Sequence, residues 1–423
     1  MDSTEPERPW SLTGSVSVAS SINYLDHDSA TGTDYTGLQK LRTRLNLQLD
    51  FELPGSWQGR FAGYTFYDAA HRIQGRDDYT DAVIDAYEWE IDSQEMWLQG
   101  EVVEDLDLKV GRQIVNWGRS ETLRILDVLN PLDNREPGLV DIEDLRLPVT
   151  MVRLDYYWGA WSLRLISLPE IRFDRRPPVG SDFVPFDVVP PERQPGTSFK
   201  NTEWAAAATG VFEAWDVSFH VARYWNDAPY IVSEATSPTG LIEKHSRLFL
   251  AGAGGNYTIG SWLLKAELAY LDGIDYPVID RLEETPVGPI PVVGTIERSR
   301  LDVMGGIEYY GIAETTVSLD VANRYINDFD SRMRAFDAQE NSLESALRIS
   351  SEFMNARLRT TVLGVMFGER AQDGSIVRLQ ASYDLRDALV LTGGILFFWN
   401  GDPEILSDID DNDRIFFQLK YSF

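Results

Sequence analysis

The strongest constraint on this chain is a strict alternation of apolar and polar side chains over long segments. From 41 to 52 the odd positions carry Leu, Thr, Leu, Leu, Leu and Phe, whereas the even positions carry Arg, Arg, Asn, Gln, Asp and Glu. Because successive side chains of a strand point to opposite faces, this segment has one apolar and one charged face. The pattern returns near 300–309 and 377–384. Soluble strands average about 5 to 6 residues and bilayer-crossing strands need roughly 9 to 11, so these lengths favour a membrane.

Short and long connections alternate along the chain. The short ones fall at 54–56, 104–105, 159–160, 213–214, 260–261, 311–313, 355–356 and 386–387, and the long ones near 25–39, 71–85, 118–147, 173–199, 228–244, 273–296, 328–345 and 400–411. This asymmetry is typical of outer-membrane barrels. We therefore predict an all-β fold, a transmembrane antiparallel β-barrel of about 18 strands with short periplasmic turns and long extracellular loops. If 345–369 is one long strand, the number is about 16, which is the alternative.

Tryptophans stand where strands begin on the short-turn side, at Trp10, Trp57, Trp161, Trp215 and Trp262. Indole rings prefer the headgroup level of a membrane, so this row predicts the periplasmic aromatic girdle.

Composition narrows the class of protein further. The net charge of −29 argues against a nucleic-acid partner, and the absence of cysteine excludes disulfides and thiolate metal sites. No apolar run approaches the roughly 18 residues of a transmembrane helix. We expect a frayed tail over residues 1–9 and a single barrel over 10–423 in a bacterial outer membrane.

The last strand ends on alternating apolar residues, Phe417, Leu419, Tyr421 and Phe423. Tyr421 and the terminal Phe423 resemble the C-terminal signal that the barrel assembly machinery reads. The alternative is an ordinary amphipathic last strand that happens to end in phenylalanine.

Three blocks, 111–118, 130–133 and 145–149, carry a family resemblance; their sequences are GRQIVNWG, NPLD and LRLPV. They resemble a large group of proteobacterial outer-membrane barrels classed as a domain of unknown function. The resemblance implies a porin-like transport barrel. It also implies association with inner-membrane exporters of the resistance–nodulation–division type and a periplasmic lipid carrier, and traffic of hydrophobic or lipid-like molecules.

If the apolar face meets lipid, the charged face lines the lumen. The residues predicted to line the pore are Arg42, Arg44, Asp50, Arg60, Arg153, Asp155, Arg164, Arg300, Asp302, Arg324, Arg348, Arg359 and Arg378. Such residues either sort solutes by charge or merely form ion pairs along the wall.

Segment 118–147 is the candidate constriction, because a loop of this length is usually functional or disordered. The spacing of its leucines predicts a short helix that packs inside the barrel; an external lid is the alternative. Its candidate site residues are Arg119, Arg124, Asn130, Asp133 and Arg135.

The leading functional prediction is passive passage of small solutes or hydrophobic, lipid-like molecules. The resemblance extends this prediction to the outer-membrane part of an envelope-spanning export system. Outer-membrane lipids and lipopolysaccharide are the expected lipid partners. An outer-membrane enzyme acting on lipids and a plugged structural or adhesive barrel are the alternatives. Catalysis finds little support, although Asp216, Ser218 and His220 share one strand face. Neither cofactor nor metal is expected. The acidic loops near 77–85 and 402–413 are interpreted as solvated charge and not as calcium sites.

Overall fold

The computed structural model describes residues 8–140, 142–285, 288–403, 406 and 409–423. Within these ranges eighteen strands form one antiparallel sheet that closes on itself, because the first strand pairs with both the second and the last. At the closure Ser15 lies opposite Ser422 and Asn23 lies opposite Arg414. The prediction of 18 strands is confirmed.

All strands are numbered in chain order. Eighteen of them build the barrel wall, and β10 and β11 form a separate two-stranded hairpin on the long-loop side. Their bounds are β1 Trp10–Asn23, β2 Gly37–Glu52, β3 Gln58–Asp68, β4 Trp89–Val103, β5 Leu106–Gln113, β6 Val149–Trp158, β7 Trp161–Leu168, β8 Glu203–Val211, β9 Trp215–Trp225, β10 Tyr230–Ser233, β11 Leu241–Lys244, β12 Arg247–Ile259, β13 Trp262–Thr285, β14 Gly288–Ile312, β15 Thr315–Ile326, β16 Asn341–Phe353, β17 Leu358–Phe367, β18 Asp373–Arg386, β19 Leu389–Gly401 and β20 Arg414–Ser422.

Helical structure in the described ranges is confined to the connections. The helices are α1 Ala70–Gln74, α2 Asp81–Tyr87 and α3 Ile142–Leu145, and 3-10 turns occur at Arg76–Asp78, Ser331–Phe336 and Asp410–Asn412. None of these helices is long and apolar enough to cross a membrane.

The short turns fall where the sequence predicts them. The turn between β16 and β17 passes through Met354, Asn355 and Ala356, all with positive φ. Segment 345–369 is therefore a hairpin, which excludes the 16-strand alternative.

The expected long loop at 273–296 is wrong. Strands β13 and β14 run on through it as a two-stranded ribbon, with Pro277 opposite Thr295 and Pro291 opposite Leu282. The prolines suggested a loop, but here they are tolerated because the ribbon rises beyond its neighbours. The pairing of β12 with β13 stops at Asp272, and above it β13 pairs only with β14 in the described ranges. The connection at 368–372, which links β17 to β18, was not anticipated because it is short.

The two faces of the wall differ as the alternation requires. Aliphatic and aromatic side chains such as Leu47, Phe219 and Leu319 are exposed on the outer face, whereas Asp155 and Asp302 are buried toward the interior. An apolar outer belt around a closed sheet is what a bilayer demands, since closure leaves no unpaired strand edge in the hydrocarbon.

The predicted girdle tryptophans lie at or beside strand ends on the short-turn side. Trp10, Trp215 and Trp262 are exposed. Trp57 lies against Gly100 and Trp161 against Gly210, where a Cβ atom would collide with the indole ring. The rings thus cover glycines of the neighbouring strand.

Candidate functional site: the loop inside the lumen

The described part of the segment between β5 and β6, residues 114–140 and 142–148, lies largely inside the barrel. Most apolar side chains of its first half pack in one cluster with inner-wall residues of strands β6 to β16, whereas Leu139 packs in a second cluster with Leu396, Phe398 and Ile409. From the loop the first cluster takes Val115, Trp117, Leu123, Ile125, Leu126 and Leu129, and from the wall it includes Met151, Ile166, Leu168, Ala205, Ala207, Ala222, Leu250, Ala269, Met304, Ala322 and Ala346. Small and aliphatic residues on this part of the inner wall form an apolar surface against which the loop packs. Residues 115–129 therefore lie against the inner wall, and the closure of the lumen by 118–147 as a whole stays a prediction.

The short helix expected from the leucine spacing is not formed; the described part of the loop is helical only at α3. Side chains replace the helical hydrogen bonds of its backbone. Glu267 on the wall accepts from the backbone N–H groups of Leu126 (3.0 Å) and Arg119. The Ser120 hydroxyl accepts from the N–H groups of Thr122 (3.1 Å) and Leu123 (2.9 Å). These two side chains thus satisfy four N–H groups that an irregular path would otherwise leave without a helical partner.

Asn130 fixes the neck of the loop. Its side chain is fully buried. The Oδ1 atom accepts from the backbone N–H of Val115 at 2.8 Å, and Nδ2 donates to the carbonyls of Gln113 at 3.2 Å and Leu147 at 2.9 Å. One amide thus joins the end of β5 to the segment that enters β6.

Asp127 is a second buried anchor. Its carboxylate accepts from Arg146 Nε at 2.9 Å and from Arg124 Nε at 3.2 Å. Arg124 also donates to the Asn130 carbonyl at 2.8 Å. The two anchors therefore form one network inside the loop.

The tip of the loop reaches the opposite wall through Glu136. Its carboxylate lies 2.6 Å from Lys40 Nζ and 3.0 Å from Arg42 Nη2 on β2. Arg42 also contacts Asp68, at 3.2 Å. Burial alone would raise the pKa of Glu136, but Arg42 and Lys40 outweigh it and hold that pKa well below its ordinary value. We call Lys40, Arg42 and Glu136 the latch.

Arg135 and Asp133 extend the latch toward β4. Arg135 pairs with Glu90 at 2.8 Å and with Asp133 at 2.6 Å, and it donates to the carbonyl of Ala86 at 2.6 Å. Asp133 in turn faces Arg175 at 3.5 Å. These charges tie the loop tip to the wall and to the connection between β7 and β8.

Two cavities remain open beside the loop, along strands β1 to β4. The upper one, of about 460 Å³, is bounded by the loop tip and by polar wall residues that include Ser17, Arg44, Asn46, Gln94 and Lys420. The lower one, of about 690 Å³, lies toward the short turns between Trp10, Asp50, Arg60 and Trp97.

Above the latch the space narrows to a cavity of about 30 Å³ between Tyr35, Lys40, Asp182 and Arg414. The connection between β7 and β8 crosses the mouth at this point. Asp182 pairs with Arg414 at 2.9 Å, its carbonyl accepts from Asn412 at 2.7 Å, and Tyr35 donates to the neighbouring Gly180 carbonyl at 2.8 Å. This small cavity is therefore bounded by the latch and by the crossing segment.

The residues predicted to line the pore occur mostly in ion pairs along the inner wall. The pairs are Arg60 with Asp50, Arg153 and Arg164 with Asp155, Arg300 and Arg324 with Asp302, Arg348 with Glu121 of the loop, and Arg359 with Asp384. Arg378 donates to the Gly138 carbonyl at 3.2 Å. Arg42 is the one member of this predicted set that belongs to the latch. The role of the predicted set in sorting solutes by charge stays a prediction.

Arg44 differs from this pattern. Its guanidinium lies 3.8 Å from the Tyr64 ring centroid, and Nε donates to Asn46 at 2.9 Å. In the described ranges no carboxylate lies within ion-pair distance of Arg44, so its charge faces the upper cavity.

Sequence reasoning missed Lys40, Lys265 and Glu267 as candidates. Lys265 is buried between Glu308 at 2.6 Å and Asp320 at 3.1 Å. Lys265 and Glu267 alternate with outward Leu264 and Leu268, so periodicity could have placed them inside. The partner of Lys40 could not be found in this way, because it lies on the loop.

The possible catalytic triad is not assembled. His220 Nε2 lies 2.8 Å from Ser218 Oγ, but His220 Nδ1 has no hydrogen-bond partner. Asp216 instead pairs with Arg119 at 2.6 Å. The Trp117 ring covers the imidazole, with centroids 4.6 Å apart. The geometry lacks the carboxylate that orients a catalytic histidine.

In the described ranges no group of His, Asp or Glu is arranged to hold a metal ion. Glu404 and Asp408 of the acidic loop at 402–413, like most of the tail at 1–9, lie outside those ranges.

The closed sheet, the apolar outer belt and the charged interior with an inward loop define an outer-membrane β-barrel of the porin type. The sequence profile of the family described as protein of unknown function (DUF1302) matches residues 14–423. The chain therefore belongs to this family, as the resemblance implied.

Solved structures with the same fold support this class. OccAB1 of Acinetobacter baumannii is similar at a TM-score of 0.56 and 9% identity, over 98% of this chain and 96% of that chain. OccAB3 of Acinetobacter baumannii has a TM-score of 0.55 and 11% identity, over 98% and 99%. OccK8 (OprE) of Pseudomonas aeruginosa has a TM-score of 0.51 and 11% identity, over 98% and 97%. No curated protein matches the sequence significantly.

Proposed function

We propose that this barrel is a passive outer-membrane channel for small polar solutes, whose passage is restricted by the inward loop and the latch. The observation that carries the proposal is the position of the two cavities between the loop and the polar wall of β1 to β4. A barrel of this size is too wide for its wall side chains to fill, so water or a folded-in segment must occupy the rest.

The lining of the cavities supports a polar cargo. The upper cavity is bounded by hydroxyl, amide and charged groups such as Ser17, Gln94 and Lys420. The apolar part of the inner wall is covered by Leu123, Leu126 and Leu129. A hydrophobic molecule would therefore have to displace the loop, whereas a hydrated ion or small polar solute would not.

The upper cavity has a small excess of positive charge, because Arg42, Arg44, Arg135 and Lys420 line it together with Asp133, Glu136 and Asp144. Arg44 has no carboxylate within ion-pair distance in the described ranges, so this excess favours anions. Rings and ladders of charged side chains select permeating ions by sign. Export of lipid-like cargo together with a periplasmic carrier and an inner-membrane exporter stays a prediction from the family resemblance.

Planar-bilayer recording of the purified full chain tests the channel. We expect small, stable conductance steps with a preference for anions. Glu136→Gln removes the negative charge of the latch and leaves Lys40 and Arg42 uncompensated. Its conductance should rise severalfold and its anion preference should increase.

Glu283→Gln is the matched control, because Glu283 is an exposed carboxylate on the β13–β14 ribbon, far from the lumen. It should behave as the unmodified protein. Silence of both the unmodified protein and Glu136→Gln would contradict the proposal and favour a plugged structural barrel. Silence accompanied by hydrolysis of added lipid would favour the enzyme.

A further inference from the structure

A groove on the outer wall lies on the lipid-facing side of β6 to β9, near the long loops. Its volume is about 570 Å³, and its lining includes Leu165, Trp204, Ala206, Val221 and Phe249. Cross-strand pairing explains its shape. Ala206 lies opposite Leu165 on one side and Val221 on the other, so a small residue stands between two larger ones. The depression is apolar, and its width is set by the single small side chain of Ala206 between its two larger neighbours.

One cation stands at the rim of this apolar groove. Arg223 lies opposite Trp204 on β8 and opposite Phe249 on β12, so two aromatic side chains flank it on the outer face. Arg223 is exposed. In the described ranges it has neither an ion pair nor a hydrogen bond through its side chain. A guanidinium at this level can extend to the headgroups, where an anionic group from outside the chain would stabilise it.

The position of Arg223 corresponds to the outer headgroup level. It lies eight residues along β9 from Trp215 of the periplasmic girdle. At about 3.3 Å per residue and a tilt of about 45°, the two are separated by roughly 20 Å along the membrane normal. The apolar band of such barrels is about 25 Å tall. Arg223 therefore stands near the outer boundary of the hydrocarbon, with the groove below it.

Further cations and aromatic rings surround this point. Arg247 belongs to the same outer face, stacks on the Trp225 ring at 5.0 Å, and donates to the carbonyls of Asn201 and Thr202. Lys200 is exposed on the adjoining connection, beside Phe199, whose side chain is 86% exposed. Glu203 lies near Arg247, so the three cations exceed the neighbouring carboxylates only slightly, although the whole chain has a net charge of −29. Asp272, next to Phe249 in the same row, bounds the patch.

We propose that this groove with Arg223, Arg247 and Lys200 is a binding site for lipid A, the phosphorylated glycolipid of the outer leaflet. An acyl chain would lie in the depression over Ala206, and a phosphate would accept hydrogen bonds from Arg223. Arginine suits this role because its fixed fork of N–H groups matches phosphate oxygens. The site is separate from the lumen, so it does not depend on the proposed channel function.

Native mass spectrometry of the detergent-purified full chain tests the site, with lipid A, dephosphorylated lipid A and phosphatidylglycerol as probes. We expect the unmodified protein to bind lipid A about tenfold more tightly than dephosphorylated lipid A, the change that loss of one charge-assisted contact produces. It should also bind lipid A more tightly than phosphatidylglycerol, which keeps a phosphate but has fewer acyl chains to fill the depression. Arg223→Gln should abolish this preference, and Arg223→Lys should restore part of it. Ala206→Phe fills the depression and should weaken binding of both forms of lipid A.

Arg281→Gln is the matched control, because Arg281 is an exposed arginine on the β13–β14 ribbon, paired with Asp280 and remote from the groove. Each variant is first checked for heat-modifiable migration on gels. If Arg223→Gln does not fold, Lys200→Gln serves as the second variant, with a smaller expected loss. Equal lipid A affinity in Arg223→Gln and Arg281→Gln would overturn the proposal. Equal binding of phosphatidylglycerol and lipid A would overturn the assignment of the occupant.

Discussion

Replacement of Asn130 by alanine is the sharpest test of how the inward loop is held. The substitution removes three hydrogen bonds of 2.8, 3.2 and 2.9 Å, to Val115, Gln113 and Leu147. Their backbone partners are left in a buried neck without the amide. A buried polar group that loses its partner costs about 1–3 kcal/mol. Even at the lower end of that range, the three losses amount to about 3 kcal/mol against docking of the loop.

This loss should loosen the loop without unfolding the barrel, because the apolar cluster and the strand ladders are untouched. Amide hydrogen exchange in peptides from 114–135 measures the effect directly, since exchange reports the free energy of local opening. A cost of about 3 kcal/mol corresponds to exchange roughly 100-fold faster. Single-channel recordings should show noisier current for the same reason.

Asn201→Ala is the matched control. Its side chain donates a single exposed hydrogen bond, to the Gly196 carbonyl at 2.7 Å, so its removal should leave exchange in 114–135 unchanged. If Asn130→Ala exchanges at the rate of the unmodified protein in these peptides, the amide does not hold the neck and the reasoning fails.

Three further outcomes follow from the same geometry. Because the pKa of Glu136 lies below its ordinary value, the latch is fully formed above about pH 4.3 and is lost only as the pH falls well below that. The conductance should therefore be constant from about pH 5 to 8. A rise in conductance within that window would contradict the latch. Arg44→Gln should lower the anion preference measured from reversal potentials in a salt gradient, whereas Arg334→Gln on an extracellular turn should not. Phe423 exchanges two backbone hydrogen bonds with Gly14, at 2.8 and 2.9 Å; removal of Phe423 should reduce the folded, heat-modifiable fraction recovered from outer membranes, and unchanged recovery would refute its role in closure.

The alternation of residues was sufficient to predict the barrel. Each strand must bury its polar backbone against neighbours and turn one face to lipid, so a period of two is visible in the sequence itself. Turn spacing then indicated about 18 strands, although it missed the connection at 368–372 and left 354–356 as an ambiguous hairpin. The ribbon at 273–296 was missed because proline usually indicates a loop. A strand tolerates proline where its edge does not pair with a neighbouring strand. Whether an edge is paired depends on the neighbouring strands and cannot be read from the segment itself.

The charged residues of the wall illustrate an intermediate case. The alternation placed Arg42 and Arg44 on one face of β2, but it did not predict their different surroundings. Arg42 meets Glu136 and Asp68, whereas Arg44 lies on Tyr64. Partners across a strand pair follow from register, which the sequence only approximates, and partners on a loop do not follow from register at all.

The sequence by itself determined the closed antiparallel barrel, its apolar outer face and its location in a membrane, because these follow from local periodicity and from the hydrogen-bonding demands of the backbone. Only the tertiary structure decided the path of 114–148 through the lumen, the meeting of Glu136 with Lys40, and the groove below Arg223. Each of these joins residues distant in sequence, and their contacts depend on the shape of the whole barrel.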